Sequence, residues 1–149
     1  MESSERSQSV WKATAPLRQF SPLRGDATAD VCVVGAGIAG MTTAYLLAKA
    51  GRKVIVLDDN PVGGGETGQT TAHLSSALDD RYSEIERVLG GENARLAYES
   101  HQEAIEKIGA IAQAEGIDCD YERLDGYLFL APEHTPTLLD DELAAAHRA

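Results

Sequence analysis

Apolar residues in the first half of the chain form two short runs on either side of a helix-like segment. Val31–Val34 is continuously apolar and ends in glycine, which predicts a buried parallel strand. Residues 38–50 are rich in alanine, leucine and methionine, and Gly51 follows as the C-cap of a predicted helix. Lys53–Leu57 predicts a second buried strand. Strand, turn, helix and parallel strand together make one right-handed βαβ unit.

A glycine-rich stretch and then a helical pattern follow this unit. Asp59–Thr71 contains one proline and four glycines, and therefore predicts a loop. From Asp79 onwards, apolar residues recur at three- and four-residue steps with charged residues between them. This spacing predicts one long amphipathic helix, which Gly116 stops.

Three further segments complete the organisation of the chain. Residues 120–124 and 127–131 predict two short strands, joined by a hairpin turn at Asp125-Gly126, and residues 138–149 predict a final helix. Residues 1–28 predict an irregular arm that packs through Trp11 and Phe20. The predicted domains are therefore the arm over 1–28, a βαβ unit with its loop over 29–78, and a further segment over 79–149.

Composition and charge narrow the class of protein. The 149 residues are 43% hydrophobic and 25% charged, which is typical of a folded globular domain. The net charge of −11 argues against nucleic acid or a membrane surface as partner, because phosphates would be repelled. Cys32 is expected to be buried in its strand, and Cys119 lies between two acids that disfavour a thiolate. Reduced cysteines and the absence of an export signal predict the cytoplasm.

The turn after the first predicted strand carries a dinucleotide fingerprint, GAGIAG, over residues 35–40. The first glycine permits the tight turn, the second lets a pyrophosphate approach the backbone, and the third lets the helix pack against the strand. Phosphates would then face the unpaired N–H groups of the helix N-terminus. The candidate cofactor-binding residues of this turn are Gly35, Ala36, Gly37, Ile38 and Gly40.

An acid at the end of the second predicted strand completes the fingerprint. Asp58 lies 18 residues after Gly40, which suits a carboxylate that binds the hydroxyls of an adenosine ribose. The alternative is an ordinary solvated acid at a strand end. A carboxylate here also disfavours NADP, because it would repel the ribose phosphate.

The loop after Asp58 bears on the choice between FAD and NAD, because both cofactors use such a unit. A typical NAD dehydrogenase continues into another helix and strand, whereas this chain enters a second glycine-rich loop at 63–71. Backbone N–H groups and hydroxyls of such a loop can serve the flavin side of the diphosphate and the ribityl chain. The loop favours FAD, and an NAD-dependent dehydrogenase stays open as the alternative.

Residues 30–74 resemble the amino-terminal FAD module of the D-amino-acid-oxidase-like family of flavoproteins. The segments TGQTTA at 67–72 and IDCDYER at 117–123 resemble a subgroup that is often fused to a Rieske [2Fe–2S] domain. The resemblance implies an α/β fold, with a Rossmann-like FAD-binding βαβ unit and the start of an α+β substrate domain. It also implies flavin-dependent oxidation of a small amine or amino-acid-like substrate by hydride transfer.

The resemblance also assigns residues. It implies that Gly35, Gly37 and Gly40 bind the pyrophosphate and that Asp58 binds the ribose, although the usual acid there is glutamate. Asp59 could share that role. The second loop adds the remaining candidates on the flavin side, Gly64, Gly65, Thr70, Thr71 and Ala72. Residues 127–130 would belong to the sheet of the substrate domain.

The length of the chain departs from the family pattern. Family members are longer and complete their FAD domain from carboxy-terminal segments, and no Cys/His pattern for a Rieske cluster is present here. We therefore expect an incomplete fold whose missing half, or a Rieske domain, is a partner, and we assign no catalytic residue and no metal ligand. A non-catalytic remnant that binds dinucleotide weakly is the other alternative.

Overall fold

The computed structural model describes residues 9–15 and 18–149, which form two compact units. The first unit ends at His73 and the second comprises Leu74–Ala149. Among the described residues, no helix is long and apolar enough to cross a membrane.

The first unit contains the βαβ arrangement that the apolar pattern predicts. Strand β1 (Val31–Val34) pairs in parallel with β2 (Val54–Leu57), and helix α2 (Ile38–Lys49) connects them. A short helix, α1 (Val10–Thr14), lies within the segment predicted to be irregular. The parallel pair and the connecting helix are thus confirmed, and Gly51 follows α2 in a left-handed conformation with φ 78°.

The prediction that both strands are buried is wrong, because their residues are half-buried or exposed and one face of β1 is exposed. A Cβ at Gly40 of α2 would lie 3.4 Å from Cγ1 of Val33, so that side chain faces the helix. Side chains alternate along a strand, which turns Cys32 and Val34 to the opposite face. Cys32 is exposed and Val34 is 84% exposed, because the described residues of this unit place no layer on that face.

The second unit packs three helices around a small core. Its helices are α3 (Tyr82–Leu89), α4 (Gly91–Glu115) and α5 (Thr137–Arg148). The core residues are Tyr82, Ile85, Ala94 and Ala145, with Leu78 and Ala149 packed against them. The long helix and its end at Gly116, in the left-handed conformation, are confirmed. The helical region is nevertheless divided, because Gly90 adopts φ 84° and separates α3 from α4.

The hairpin predicted at residues 120–131 is wrong, since no strand is present there. Tyr121 instead packs on α4, where its hydroxyl donates to the carbonyl oxygen of Ile105 at 3.2 Å. A Cβ at Gly109 would lie 2.9 Å from this ring, so the glycine makes room for it. A two-stranded hairpin alone is marginally stable, and Tyr127 and Phe129 are left 84% and 83% exposed.

The carboxylate of Glu142, on α5, caps the first turn of α3. It accepts hydrogen bonds from the backbone N–H groups of Tyr82 and Ser83 at 2.8 and 3.0 Å, and from the Ser83 hydroxyl at 2.8 Å. Partial burial acts to raise the pKa of Glu142, but the hydrogen bonds from Ser83 and Tyr82 outweigh it, so its pKa lies below the ordinary value. The ionised side chain therefore joins α5 to the N-terminus of α3.

Replacing Glu142 by alanine should lower the free energy of unfolding by about 1 kcal/mol, the usual contribution of a helix cap. Because the pKa is lower in the folded state, the ionised carboxylate stabilises the fold above the ordinary glutamate value of about 4.3, and this contribution disappears as the pH falls below it. Urea unfolding followed by circular dichroism at several pH values measures both effects. Glu142→Gln should flatten the acid dependence, whereas Glu103→Gln, at an exposed position on α4, should not.

Candidate cofactor-binding site

The turn between β1 and α2 is closely packed. Gly35 adopts φ 103°, and its N–H donates to the carbonyl oxygen of Leu57 at 2.8 Å, which joins the turn to β2. A Cβ at Gly40 would lie 1.9 Å from the carbonyl oxygen of Gly35. Only glycine at position 40 therefore allows α2 to approach the end of β1 this closely. The N-terminus of α2 consequently lies beside the end of β1.

Asp58 is exposed, and its carboxylate is hydrogen-bonded to this turn. Its Oδ2 accepts from the N–H of Ala36 at 2.5 Å and its Oδ1 from the N–H of Asn60 at 2.7 Å. These hydrogen bonds, that from Ala36 foremost, lower the pKa of Asp58, so the side chain is ionised at neutral pH. The neighbouring Asp59 accepts instead from the side-chain amide of Asn60 at 2.6 Å. Asp58 is thus the acid that the fold brings to the turn.

The second glycine-rich loop docks on the same turn. It contains a 3₁₀ helix, Glu66–Gln69, and the N–H of Gly63 donates to the carbonyl oxygen of Ala36 at 2.9 Å. The Thr67 hydroxyl accepts from the N–H of Ile38, the first residue of α2, at 3.0 Å. The first N–H groups of a helix have no acceptor within the helix. Thr67 therefore supplies, from the loop, an acceptor for one of these N–H groups.

Thr67 belongs to the site, although its sequence context predicts no role for it. It stands within the TGQTTA segment, but nothing in the local pattern indicates that its hydroxyl reaches a helix 29 positions earlier. A Cβ at Gly37 would lie 3.2 Å from the Thr67 hydroxyl oxygen, so Gly37 keeps this space narrow but open. The only signal in the sequence is a hydroxyl residue beside the glycines.

The remaining predicted residues lie along the loop and beyond it. A Cβ at Gly64 would lie 2.7 Å from the carbonyl oxygen of Pro61, whereas one at Gly65 would meet nothing within 4 Å. The Thr70 hydroxyl accepts from the N–H of Ala72 at 3.2 Å, and Ala72 has φ 58°. Thr71 and Ala72 are exposed. The structure therefore gathers Ala36, Ile38 and Asp58 at one place, and the contacts described for the predicted flavin-side residues do not include these three.

The groups assembled here are suited to binding. The backbone N–H groups at a helix N-terminus attract an anion such as a diphosphate, and glycines let it approach. An ionised carboxylate at a strand end accepts hydrogen bonds from a pair of hydroxyls. The combination fits the diphosphate and ribose of a dinucleotide, and it supplies no side chain that transfers a proton.

Comparison with known proteins gives one family. Residues 30–149 match the family model for FAD-dependent oxidoreductases. A Bacillus subtilis protein described as a Rieske 2Fe-2S iron-sulfur protein is 39% identical over 130 residues, covering 87% of this chain and 26% of its own length. Gamma-glutamylputrescine oxidoreductase of Escherichia coli is 34% identical over 128 residues, 85% of this chain and 30% of its own. No solved structure matches the chain significantly.

The matched relatives are much longer than this chain. It spans between a quarter and a third of the curated relatives named above. A third relative, an oxidoreductase of Haemophilus influenzae, is 34% identical over 113 residues, which are 76% of this chain and 26% of its own length.

Proposed function

Because this chain belongs to the family of FAD-dependent oxidoreductases, we propose that its first unit is the FAD-binding part of such an enzyme. FAD is the cofactor of the family. The observation that carries the proposal is the meeting of three groups at the N-terminus of α2. These are the turn at 35–40, the Asp58 carboxylate and the loop that brings Thr67 to Ile38.

In this proposal each group has one task. The βαβ unit is Rossmann-like, and the turn at 35–40 binds the pyrophosphate at the N-terminus of α2, where Gly37 lets it approach the backbone and Gly40 sets the position of the helix. Asp58 accepts from the adenosine ribose. Gly64, Gly65 and residues 70–72 bind on the flavin side. The bound flavin supplies hydride-accepting chemistry, and the protein orients it and excludes water.

The substrate class follows from the family and one relative. We propose a small amine or amino-acid-like substrate, supported by the name of the Escherichia coli relative, which is an oxidoreductase of gamma-glutamylputrescine. A Rieske [2Fe–2S] domain as partner is supported by the name of the Bacillus subtilis relative. The cytoplasm stays a prediction from the cysteines.

Titration of the purified chain with FAD tests the proposal. We expect two visible flavin absorption bands that remain with the protein through gel filtration. Asp58→Asn should weaken FAD binding by roughly tenfold to 100-fold, because a hydrogen bond to a charged group contributes about 1.5–3 kcal/mol. Asp26→Asn is the matched control for loss of a carboxylate, because Asp26 is exposed and lies outside the turn and the loop, and it should change the affinity by less than about threefold.

Three results would count against the proposal. A colourless chain that takes up no FAD would favour the non-catalytic remnant, and tighter binding of NADH than of FAD would favour a dehydrogenase. Equal losses for the two aspartate variants would remove the specific role of Asp58.

A further inference from the structure

The short helix α1 and its N-cap residue contact the second glycine-rich loop through three side-chain hydrogen-bond donors. The Ser9 hydroxyl donates to the carbonyl oxygen of Gly68. The Trp11 indole N–H donates to the carbonyl oxygen of Thr70 at 2.7 Å. The Lys12 ammonium donates to the carbonyl oxygen of Gly64 at 3.1 Å. Helix α1 thus holds the loop at three points separated along its length.

The fit between α1 and the loop extends to packing. Gly68 is buried, and a Cβ there would lie 2.7 Å from Cε of Lys12 and 2.6 Å from the carbonyl oxygen of Gly63. Glycine at position 68 therefore makes room for the lysine stem. Ser9 also accepts from the N–H of Lys12 at 3.3 Å as the N-cap of α1, so one hydroxyl joins the helix to the loop.

The same loop also contacts the candidate site. Gly63 bonds to Ala36 and Thr67 bonds to Ile38, as described above. Contacts therefore run without a break from α1, through the loop, to the N-terminus of α2. Phe20, the other residue predicted to pack the arm, is 66% exposed and takes no part in these described contacts.

We infer that Ser9, Trp11 and Lys12 are positioning residues for FAD, which hold the loop at 63–70 in its binding form. The inference rests on the proposed function of the first unit. A loop with four glycines loses much conformational entropy when it becomes ordered, about 1–2 kcal/mol for each residue fixed. Contacts that order the loop beforehand remove part of this cost from binding.

The chemistry of the three contacts favours the same role. Each side chain donates to a backbone carbonyl oxygen, the group that would repel a diphosphate. These hydrogen bonds direct the carbonyl groups of Gly64, Gly68 and Thr70 towards α1. Lys12 also brings a positive charge to the loop, which favours an anionic ligand.

The test removes the donors singly and together in the 149-residue chain. Ser9→Ala, Trp11→Phe and Lys12→Met should each weaken FAD binding roughly fivefold, and the triple variant should weaken it roughly 50-fold or more. Ser9→Thr and Lys12→Arg, which retain a donor, should restore most of the affinity. Lys53→Met is the control for loss of a charge, because Lys53 is exposed and the hydrogen bonds described for it involve its backbone N–H and carbonyl oxygen, not its ammonium group.

Two readouts without activity separate positioning from general stability. Hydrogen exchange of the FAD-free variants should rise at residues 63–70 and stay unchanged in β1 and β2. Trp11 is the only tryptophan of the chain, so its fluorescence reports the arm directly. Added FAD should quench it in the native chain, and Lys12→Met should reduce this quenching at subsaturating FAD.

The outcomes distinguish the two proposals. If the native chain binds FAD and the triple variant binds it equally well, the role of the arm is overturned and the proposed function stands. If the variants lose protection in the strands as well, a role confined to the loop is overturned. If the native chain binds no FAD, the proposed function fails, and the inference fails with it.

Discussion

Valine in place of Gly37 should abolish FAD binding while the helices of the chain stay intact. Gly37 has an extended conformation, with φ −80° and ψ −173°, so a side chain adds no backbone strain there. The cost of the valine side chain is steric. Its Cβ would lie 3.2 Å from the Thr67 hydroxyl oxygen, and its methyl groups would fill the space through which the pyrophosphate approaches the backbone. Losing two hydrogen bonds to a charged phosphate corresponds to an affinity at least about 100-fold weaker.

Flavin absorbance retained after gel filtration, together with far-ultraviolet circular dichroism, measures both parts of this expectation. The FAD affinity of Gly37→Ala should lie between that of the native chain and that of Gly37→Val. Gly25→Val is the matched control, because a Cβ at Gly25 would meet nothing within 4 Å. Tight FAD binding by Gly37→Val would mean that the pyrophosphate does not approach the backbone at this turn.

Alanine in place of Gly40 should destabilise the first unit even without FAD. Its Cβ would lie 1.9 Å from the carbonyl oxygen and 2.9 Å from the carbonyl carbon of Gly35, and backbone atoms cannot move aside as a flexible side chain can. Forcing α2 away from β1 should cost about 1–3 kcal/mol or more. The gain in helix propensity, at most about 1 kcal/mol, offsets only part of this cost.

Urea unfolding of the FAD-free chain measures the effect of Gly40→Ala, and FAD titration should show a parallel loss of affinity. The control is Gly25→Ala, at a glycine with open space around it. Unchanged unfolding of Gly40→Ala would show that the helix can shift at little cost. The close approach would then not be required for the fold.

The parts of the fold that the sequence predicted correctly depend on local pattern. The runs at 31–34 and 54–57 are apolar over their full length, and the intervening residues favour a helix, so β1, α2 and β2 follow from neighbours in the chain. The end of α4 is equally local, since Gly116 adopts the left-handed conformation that glycine permits.

The errors concern interactions with distant segments. Residues 120–131 have the alternation and turn of a hairpin, but a strand pair also needs a sheet or a helix to pack on, and Tyr121 takes the segment to α4 instead. Cys32 lies in an apolar run, but the number of strands and layers around it decides its burial, and the run does not specify that number.

The same division holds for the candidate site. The spacing of the glycines in the turn, and of Asp58 after them, predicts these residues as a site. The structure brings them together, and their binding roles stay predictions. The contacts of Thr67 with Ile38 and of Trp11 with Thr70 join residues 29 and 59 positions apart. A single sequence offers no periodicity from which such pairings can be inferred.

The cap that Glu142 provides for α3 has a consequence for the folding of the second unit during its synthesis. The carboxylate joins residues 60 positions apart in the chain, and it comes from α5, which follows α3 and α4 in the sequence. During translation, α3 and α4 emerge before the side chain that completes the first turn of α3. We therefore expect the first turn of α3 to be capped only after α5 has left the ribosome, in a late step that depends on a contact of high sequence separation.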